Sequence, residues 1–165
     1  MSGSVSLRLN GVPTDVGDAG ENETLLTTLR DRLGMSSVRY CCGIGVCGTC
    51  TVLVEGHAVS SCLLLTSMCD GRDVQTAERL ATDADPLEDR VLQAFSELQA
   101  FQCSYCIPAF VVTIVSVLRA EPDAPVERLR EQLSGNLCRC GSYPQIQRAL
   151  ERIVEGRTTG VEDQG

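Results

Sequence analysis

The sequence is organised around a short loop rich in cysteine and glycine, which runs from Cys42 to Cys50. Cys42, Cys47 and Cys50 follow a C-x4-C-x2-C spacing, and Cys62 comes later as a fourth cysteine. This is the ligand pattern of plant-type [2Fe-2S] clusters. Glycines between the cysteines let the backbone wrap tightly and turn its N–H groups toward the sulfur atoms of such a cluster. The spacing therefore predicts an iron-sulfur site.

Three other interpretations of this loop are open at this point. A four-cysteine zinc site usually pairs two short C-x2-4-C units, whereas the fourth ligand here would be the solitary Cys62. Disulfides would need an oxidising compartment, for which nothing else in the chain argues. The loop also spells G-x-G-x-x-G, but a dinucleotide-binding loop opens a helix, and residues 51–54 instead form a predicted strand. Cys41 adjoins the loop, yet its use would lengthen the first spacing to x5, so the register favours Cys42.

Composition indicates the cellular compartment of the protein and the role of its cysteines. The chain has 165 residues, enough for one domain or two small ones, and its ten cysteines accompany one histidine and no tryptophan. Residues 1–5 contain neither a basic segment nor a long apolar core, so we expect no export signal and a cytoplasmic location. In a reducing compartment, cysteines are more often metal ligands or redox groups than structural bridges.

Charge and hydropathy argue against two classes of partner. The net charge is -8, which disfavours nucleic acids and anionic membrane surfaces. The most apolar run, residues 107–118, is well short of the roughly 20 residues that a membrane-spanning helix needs. We therefore expect a buried helix there, and neither a nucleic acid nor a membrane as partner.

The first half of the chain predicts a compact α+β module. Residues 4–9 alternate polar and apolar side chains before Asn10-Gly11, which predicts a β-hairpin. Leucines at helical spacing predict a helix over residues 25–33, ended by Gly34. Two strands, 51–54 and 58–65, are predicted on either side of a turn at Glu55-Gly56, with Cys62 inside the second strand. Residues 73–76 predict a last short strand.

The second half of the chain predicts four helices. A short acidic linker, residues 81–86, precedes a helix that begins at Pro86, and further helices are predicted over residues 107–119, 126–133 and 145–154. We therefore expect a first domain over residues 1–81, a helical domain over residues 82–156, and a disordered tail over residues 157–165.

The helical half contains a second set of four cysteines. Cys103 and Cys106 precede one predicted helix, and Cys138 and Cys140 precede another. Both pairs would lie at positive helix N-termini, which stabilise an anionic, thiolate-ligated centre. Spacing alone suits a [2Fe-2S] cluster or a four-cysteine zinc ion. Two cysteines, Cys41 and Cys69, fit neither set, and we assign them no role.

Several motifs together resemble a known family. They are Tyr40-Cys41-Cys42-Gly43, Ser61-Cys62-Leu63, Gln102-Cys103-Ser104-Tyr105-Cys106 and Gly135-Asn136-Leu137-Cys138-Arg139-Cys140. The chain resembles the iron-sulfur subunit of molybdenum hydroxylases of the xanthine dehydrogenase/oxidase type, including the small subunits of aldehyde oxidoreductases and carbon monoxide dehydrogenases. This resemblance favours iron-sulfur clusters over zinc at both sites.

The resemblance implies an α+β architecture, with a β-grasp ferredoxin-like domain followed by a four-helix domain, each holding one [2Fe-2S] cluster. It implies a subunit without catalytic residues, which passes single electrons from a molybdenum-pterin (molybdopterin) centre on a large subunit toward FAD on a medium subunit. By the same resemblance, Gln102 and Cys140 approach the pterin. The alternative is a free-standing [2Fe-2S] carrier or redox sensor, and a third possibility is a zinc-stabilised interaction module.

The chain departs from the common family pattern at three places. Ile44 replaces a frequent glutamate, Cys106-Ile107-Pro108-Ala109 replaces Cys-Thr-Pro-Gly, and Gly141-Ser142-Tyr143 replaces Thr-Gly-Tyr. The ligand cysteines are retained. These changes bear on the hydrogen bonds around the two clusters.

Overall fold

The computed structural model describes residues 4–80 and 85–156, in which five strands form one mixed sheet. The predicted hairpin is present as β1 (Ser4–Leu9) and β2 (Val12–Asp18). Its turn residues Asn10 and Gly11 both adopt positive φ, 52° and 86°, as a tight hairpin turn requires. The sequence therefore specifies this hairpin locally.

The other strands come later in the chain and complete the sheet. They are β3 (Thr51–Val54), β4 (His57–Ser60) and β5 (Asp73–Gln75), and the strand order is β2-β1-β5-β3-β4. The central strand β5 pairs in parallel with β1 and antiparallel with β3. This mixed pairing gives the α+β class that the sequence predicts.

The predicted helix over residues 25–33 covers the sheet. Helix α1 (Leu25–Thr27) continues as a π-helical turn over Thr28–Arg32 and is followed by Gly34 at φ 71°. The Thr24 hydroxyl caps it by accepting a hydrogen bond from the N–H of Thr27 at 3.3 Å. The apolar face packs into one core with the sheet; its buried leucines are Leu25, Leu26 and Leu29.

The prediction for residues 58–65 is wrong in its second half, because β4 ends at Ser60. From Ser61 the backbone turns toward the helix and the cysteine loop. The carbonyl oxygen of Ser61 accepts a hydrogen bond from the N–H of Leu26 at 3.1 Å. The Ser61 hydroxyl donates to the carbonyl oxygen of Cys50 at 2.7 Å. Cys62 therefore lies in a turn beside Cys50 and not inside a strand.

Helices form the second half of the described chain. They are α2 (Ala77–Leu80), α3 (Pro86–Glu97), α4 (Ile107–Ala120), α5 (Val126–Gln132) and α6 (Tyr143–Glu155), with a 3-10 turn over Leu133–Gly135. The four predicted helices are confirmed, and α2 was not predicted. Helix α6 begins at Tyr143, two residues earlier than expected, because Pro144 fits the first turn of a helix, where no N–H is needed. Most of the predicted linker and the tail, residues 81–84 and 157–165, lie outside the described residues.

Helix α4 is the centre of the helical half. Most of its side chains are buried, as an apolar surface on all sides predicts. The hydroxyl of Thr113, one of the few polar groups on it, donates to the carbonyl oxygen of Ala109 at 2.8 Å. In the described part of the chain, no helix is long and apolar enough to cross a membrane.

Strand β3 joins the two halves. Val52 and Val54 pack into the core under α1, whereas Leu53, 1% exposed, belongs to the core around α4, because successive side chains of a strand face opposite sides. The Ser116 hydroxyl of α4 also donates to the carbonyl oxygen of Gly56 at 2.7 Å. Both faces of β3 are therefore buried.

Candidate metal centres

Four of the cysteines between residues 42 and 62 are brought together by the loop that precedes β3 and the turn that follows β4. Cys42 is partly exposed, and Cys47, Cys50 and Cys62 are buried. The thiol of Cys42 lies beside that of Cys47, and the thiol of Cys62 lies beside that of Cys50. The four thiols therefore lie near one another, and their sharing one cluster stays a prediction.

Backbone N–H groups of the loop point at sulfur. The N–H groups of Ile44 and Cys47 donate to Sγ of Cys42 at 3.5 and 3.4 Å. The same two hydrogen bonds lower the pKa of Cys42 to about 6, because they stabilise the thiolate. A loop that already favours thiolate and directs N–H groups at it suits an anionic iron-sulfur cluster.

Tight wrapping of the loop depends on glycine. Gly43, Gly45 and Gly48 adopt positive φ of 70°, 74° and 67°. A Cβ on Gly48 would lie 2.6 Å from the carbonyl oxygen of Gly135, which is backbone and cannot move aside easily. Gly48 is therefore required both by its own conformation and by the close approach of the second half of the chain.

Burial is the main influence on the pKa of Cys62 and raises it to about 11, and the neighbouring Cys50 thiol acts in the same direction.

The two unassigned cysteines, Cys41 and Cys69, differ in position. Cys41 is exposed and its thiol lies beside that of Cys47, so it borders the first group. Cys69 is fully buried in the core under α1, with Sγ 3.9 Å from the carbonyl oxygen of Leu65. Cys69 is part of the hydrophobic core.

The second group contains the four cysteines of the helical half. Cys106 and Cys138 are buried side by side, and the exposed Cys103 lies beside the partly exposed Cys140. Burial, and then the neighbouring Cys138, raises the pKa of Cys106 to about 12. Cys106 directly precedes α4, as predicted, and its carbonyl oxygen accepts from the N–H of Phe110 at 3.3 Å.

Tyr143 and Gln102 both adjoin this second group. The Tyr143 hydroxyl accepts a hydrogen bond from the N–H of Cys138 at 2.8 Å, so the first residue of α6 fixes the cysteine loop. Gln102, which the sequence analysis expects to approach a pterin, is exposed next to Cys103. Cys140, the other residue with that expectation, is partly exposed.

The two cysteine groups meet directly. The N–H of Leu137 donates to the carbonyl oxygen of Cys47 at 3.0 Å. The Asn136 amide donates to the carbonyl oxygen of Gly48 at 3.5 Å. A second contact lies beside them, where the Tyr105 hydroxyl donates to the carbonyl oxygen of Tyr40 at 2.6 Å. The segment that carries the second group is therefore hydrogen-bonded to the loop that carries the first.

These bridging contacts were not predicted from the sequence. Asn136 and Leu137 belong to the Gly-Asn-Leu-Cys-Arg-Cys motif, which was the available signal, but their partners lie almost ninety positions away. Several exposed apolar side chains lie close in sequence to the two groups, and their exposure was not predicted; they are Tyr40, Ile44, Val46, Leu63 and Met68 for the first, and Phe101, Tyr105, Leu137 and Tyr143 for the second.

The donor set fits iron-sulfur clusters in number and chemistry. Each half of the chain supplies four grouped thiols, and N–H groups point at sulfur in the first group. Across residues 4–80 and 85–156, no group of three or more His, Cys, Asp or Glu side chains is arranged to hold one metal ion. A cluster of two irons and two sulfides spreads its ligands farther apart than one ion does, so this finding concerns single-ion sites.

Two family models match successive, slightly overlapping parts of the chain. The family described as "2Fe-2S iron-sulfur cluster binding domain" matches residues 8–81, and the family described as "[2Fe-2S] binding domain" matches residues 76–151. Each half of the chain therefore corresponds to one [2Fe-2S]-binding domain.

Individual relatives match nearly the whole chain. The nicotinate dehydrogenase small FeS subunit of Eubacterium barkeri is 36% identical over 92% of this chain and 95% of its own length. The xanthine dehydrogenase iron-sulfur-binding subunit of Escherichia coli O157:H7 is 34% identical over 87% of this chain and 89% of its own length. A chain in the crystal structure of quinoline 2-oxidoreductase from Pseudomonas putida 86 superimposes with a TM-score of 0.82, at 30% identity, over 96% of this chain and 98% of that chain. The chain therefore belongs to the family of iron-sulfur subunits of xanthine dehydrogenase/oxidase-type molybdenum hydroxylases.

Proposed function

We propose that this chain relays single electrons within a molybdenum hydroxylase complex, from a molybdenum-pterin centre on a large subunit, through its helical half and then its N-terminal half, toward FAD on a medium subunit. Two bound [2Fe-2S] clusters supply the one-electron chemistry. The chain contributes ligands, a fixed spacing between its two sites and surfaces for partners, and the hydroxylation takes place on the large subunit.

The first part of the proposal concerns the ligands. Cys42, Cys47, Cys50 and Cys62 hold the first cluster, and Cys103, Cys106, Cys138 and Cys140 hold the second. Their grouping in the fold, together with the N–H groups directed at Cys42, supports this assignment. We place the boundary between the two cluster domains at residues 81 and 82. Support comes from the two hydrophobic cores, one under α1 and one around α4.

The observation that carries the relay is the hydrogen bond between Leu137 and Cys47. Cys47 is a proposed ligand of the first cluster, and Leu137 directly precedes Cys138, a proposed ligand of the second. A short route of covalent bonds and one hydrogen bond therefore joins the two sites. A carrier with two independent clusters needs no such contact, so the contact favours a relay over the free-standing carrier.

The partner surfaces follow from the positions of the two groups. Gln102 and Cys140 lie at the surface of the second group, and we propose that this surface faces the pterin of the large subunit. The exposed apolar residues around the first group, among them Ile44 at 68% exposure, form the proposed contact with the FAD subunit. Apolar residues in such number around a functional group are typical of interaction sites.

For the substrate of the complex we propose a nitrogen-containing aromatic ring. The relatives and the solved structure described above are named for nicotinate, xanthine and quinoline, each of which contains such a ring. Oxidation of nicotinate or quinoline by the purified complex would support this class. Oxidation of benzaldehyde alone would contradict it and leave the relay proposal intact.

The proposed relay is tested by electron paramagnetic resonance with spin counting on anaerobically purified, dithionite-reduced protein. We expect two distinct spin-half signals, each approaching one spin per chain. A single signal, or zinc in place of iron, would contradict the relay. Co-purification with the large subunit, followed by pterin and FAD analysis, tests the partners. A chain that purifies alone with both clusters and passes electrons without partners would favour the free-standing carrier.

A further inference from the structure

A cavity of about 510 Å³ opens between α5 and α6, next to the second cysteine group. Its rim includes Leu137 and Tyr143, whose side chains are 49% and 46% exposed. Its floor is apolar and buried, and is formed by Phe110, Leu133, Ile146 and Leu150. Binding sites in proteins are typically concave, mostly apolar and roughly 300–1,000 Å³ in volume. This α5–α6 cavity therefore has the size and the lining of a binding site.

One guanidinium group lines the cavity on its exposed side. Nε of Arg130 donates to the side-chain oxygen of Gln147 at 2.9 Å, and the amide nitrogen of Gln147 donates to Glu151 at 2.8 Å. The neighbouring Glu131 pairs with Arg128 instead, at 3.1 Å. Among residues 4–80 and 85–156, no carboxylate forms an ion pair with Arg130. Because a guanidinium matches a carboxylate with two parallel hydrogen bonds, the cavity offers a place for one carboxylate.

Contacts with both cysteine groups hold the walls of the cavity in place. The Asn136 amide, on one wall, donates to the carbonyl oxygen of Gly48 at 3.5 Å. The Tyr143 hydroxyl, on the other, accepts from the N–H of Cys138 at 2.8 Å. A site that is formed before binding loses less conformational freedom when it is filled. Tyr143 and Leu137 also connect the cavity with the surface of the second group.

We propose that the α5–α6 cavity binds a segment of the large subunit, in which an aromatic or long aliphatic side chain fills the apolar floor and a nearby carboxylate pairs with Arg130. The proposal rests on the proposed function, because it takes the large subunit as the partner. Charge complementarity with Arg130 selects an acidic segment. Since this chain carries a net charge of -8, it exerts no long-range attraction on such a segment. The ion pair therefore acts at short range and fixes how the two subunits dock.

The first test measures the affinity of the full, cluster-loaded chain for the large subunit by biolayer interferometry. Arg130→Glu reverses the charge, and Ser134→Phe adds a ring at an exposed position that lines the cavity. Arg148→Glu is the control, because it makes the same change of charge at an exposed position of α6 outside the cavity lining. Electron paramagnetic resonance and thermal unfolding establish that each variant keeps both clusters and its fold.

We expect Arg130→Glu and Ser134→Phe each to weaken binding by about tenfold or more, since an apolar anchor and the charge beside it commonly dominate an interface. Arg130→Lys, which keeps the charge, should lose less, and Arg148→Glu should bind like the wild type. Wild-type affinity in either cavity variant, or an equal loss in Arg148→Glu, would overturn the proposal.

The second test identifies the carboxylate. The sequence contains no lysine, so Arg130→Lys introduces the one side-chain amine of the chain. In the assembled complex, a carbodiimide joins this amine directly to a carboxylate that lies against it, and mass spectrometry identifies the linked peptide. Arg148→Lys is the matched control and should not link to the same carboxylate.

The expected product links position 130 to an aspartate or glutamate of the large subunit, with an aromatic or long aliphatic residue within a few positions of it. A link to the FAD subunit, to a second copy of this chain, to a small carboxylic acid or only to this chain's own carboxylates would overturn the proposal. The absence of any link in an assembled complex would do the same.

The possible results separate this inference from the relay itself. Cavity variants that bind the large subunit like the wild type, and still accept electrons from it, would overturn the role of the cavity and leave the relay intact. A wild-type chain that binds no large subunit would overturn the proposed function, and the inference with it.

Discussion

The backbone N–H of Leu137 lies 3.0 Å from the carbonyl oxygen of Cys47 and donates a hydrogen bond to it. This bond crosses between the two halves of the chain at the point where their cysteine groups meet. The neighbouring residue, Gly48, packs against the carbonyl oxygen of Gly135 so closely that no side chain fits between them. The spacing of the two groups is therefore set by backbone atoms on both sides.

We predict that Gly48→Ala forces the two cysteine groups apart. The new Cβ would lie 2.6 Å from the carbonyl oxygen of Gly135, and alanine at positive φ costs about 1–2 kcal/mol in addition. The melting temperature should fall, and the magnetic interaction between the two reduced clusters should weaken. Differential scanning calorimetry and electron paramagnetic resonance of the fully reduced chain measure the two effects.

Gly71→Ala is the matched control for this change. Gly71 also has a positive φ, 71°, but a Cβ there would meet nothing within 4 Å. It should cost the backbone strain alone and leave the magnetic interaction unchanged. If both variants behave alike, the contact with Gly135 does not set the spacing of the clusters.

Single replacements of cysteine by alanine should distinguish the thiols that ligate a cluster from those that do not. Cys50→Ala and Cys106→Ala should each remove one cluster and about half of the iron, because a [2Fe-2S] centre needs four thiolates. Cys41→Ala should keep both clusters. Cys69→Ala should also keep both but lower stability by about 1 kcal/mol, since it removes one buried sulfur from the core. Iron analysis and thermal unfolding distinguish these results, and loss of a cluster in Cys69→Ala would contradict the assignment.

Arg119 of α4 is predicted to stabilise the joint between the two halves. It pairs with Glu88, whose side chain is 0% exposed, and with Asp85 at 3.4 Å, and it donates to the Gln75 side chain of β5 at 3.2 Å. Arg119→Gln should cost about 3 kcal/mol, because it removes the positive partner of a buried carboxylate. For a chain of this size, such a loss lowers the melting temperature by roughly 6–12 °C.

Arg128→Gln provides the comparison for Arg119. Arg128 pairs with Glu121 and Glu131 at 3.0 and 3.1 Å, but these carboxylates are 48% and 70% exposed, unlike the buried Glu88. Exposed pairs contribute about 0–1 kcal/mol. Equal losses of stability in the two arginine variants would show that the burial of Glu88 does not matter.

The Glu78 carboxylate is predicted to make stability depend on pH. It accepts hydrogen bonds from the Ser37 N–H at 2.7 Å, the Ser37 hydroxyl, and the Thr76 hydroxyl at 2.5 Å. Burial raises the pKa of Glu78, but these hydrogen bonds outweigh it and hold the pKa below its ordinary value of 4.5. Because the folded chain favours the ionised form, its contribution is present above that value and is lost as the pH falls through the lowered pKa.

Glu78→Gln should therefore destabilise the chain by about 2 kcal/mol at pH 7, since it weakens hydrogen bonds to a charged group. The difference from wild type should shrink below pH 4.5, where the wild-type carboxylate also becomes neutral. Urea unfolding across this pH range measures both effects. Glu127→Gln, on the exposed face of α5, is the control. A difference from wild type that does not vary with pH would contradict the prediction.

Some parts of the fold depend only on residues that are neighbours in the sequence, and these parts could be predicted. The hairpin at Asn10-Gly11 needs only two residues that accept positive φ, and the first cysteine loop is specified by the spacing of its own ligands and glycines. The four helices follow from apolar spacing and from prolines, which lie in the first turns of α3, α4 and α6 and at the N-cap of α5. These features could be read without knowledge of any distant contact.

Distant contacts explain what the sequence did not predict. The apolar run after Ser60 looks like a continued strand, but the Ser61 hydroxyl is bonded to the carbonyl oxygen of Cys50, and the chain turns there. The bond from Leu137 to Cys47 likewise depends on folding. Alternation in β3 predicts that one face is buried, but the burial of Leu53 by α4 depends on residues about sixty positions later.

The burial of both faces of β3 limits how this chain can be divided. A ferredoxin made by cutting the gene after residue 81 would keep its own cysteine loop, but it would expose Leu53 and lose the bond from Ser116 to Gly56. The reciprocal fragment would expose the core around α4. Although two families describe the sequence as two domains, β3 contributes side chains to the cores of both. A fusion or transplant into another electron-transfer system would have to carry both halves together.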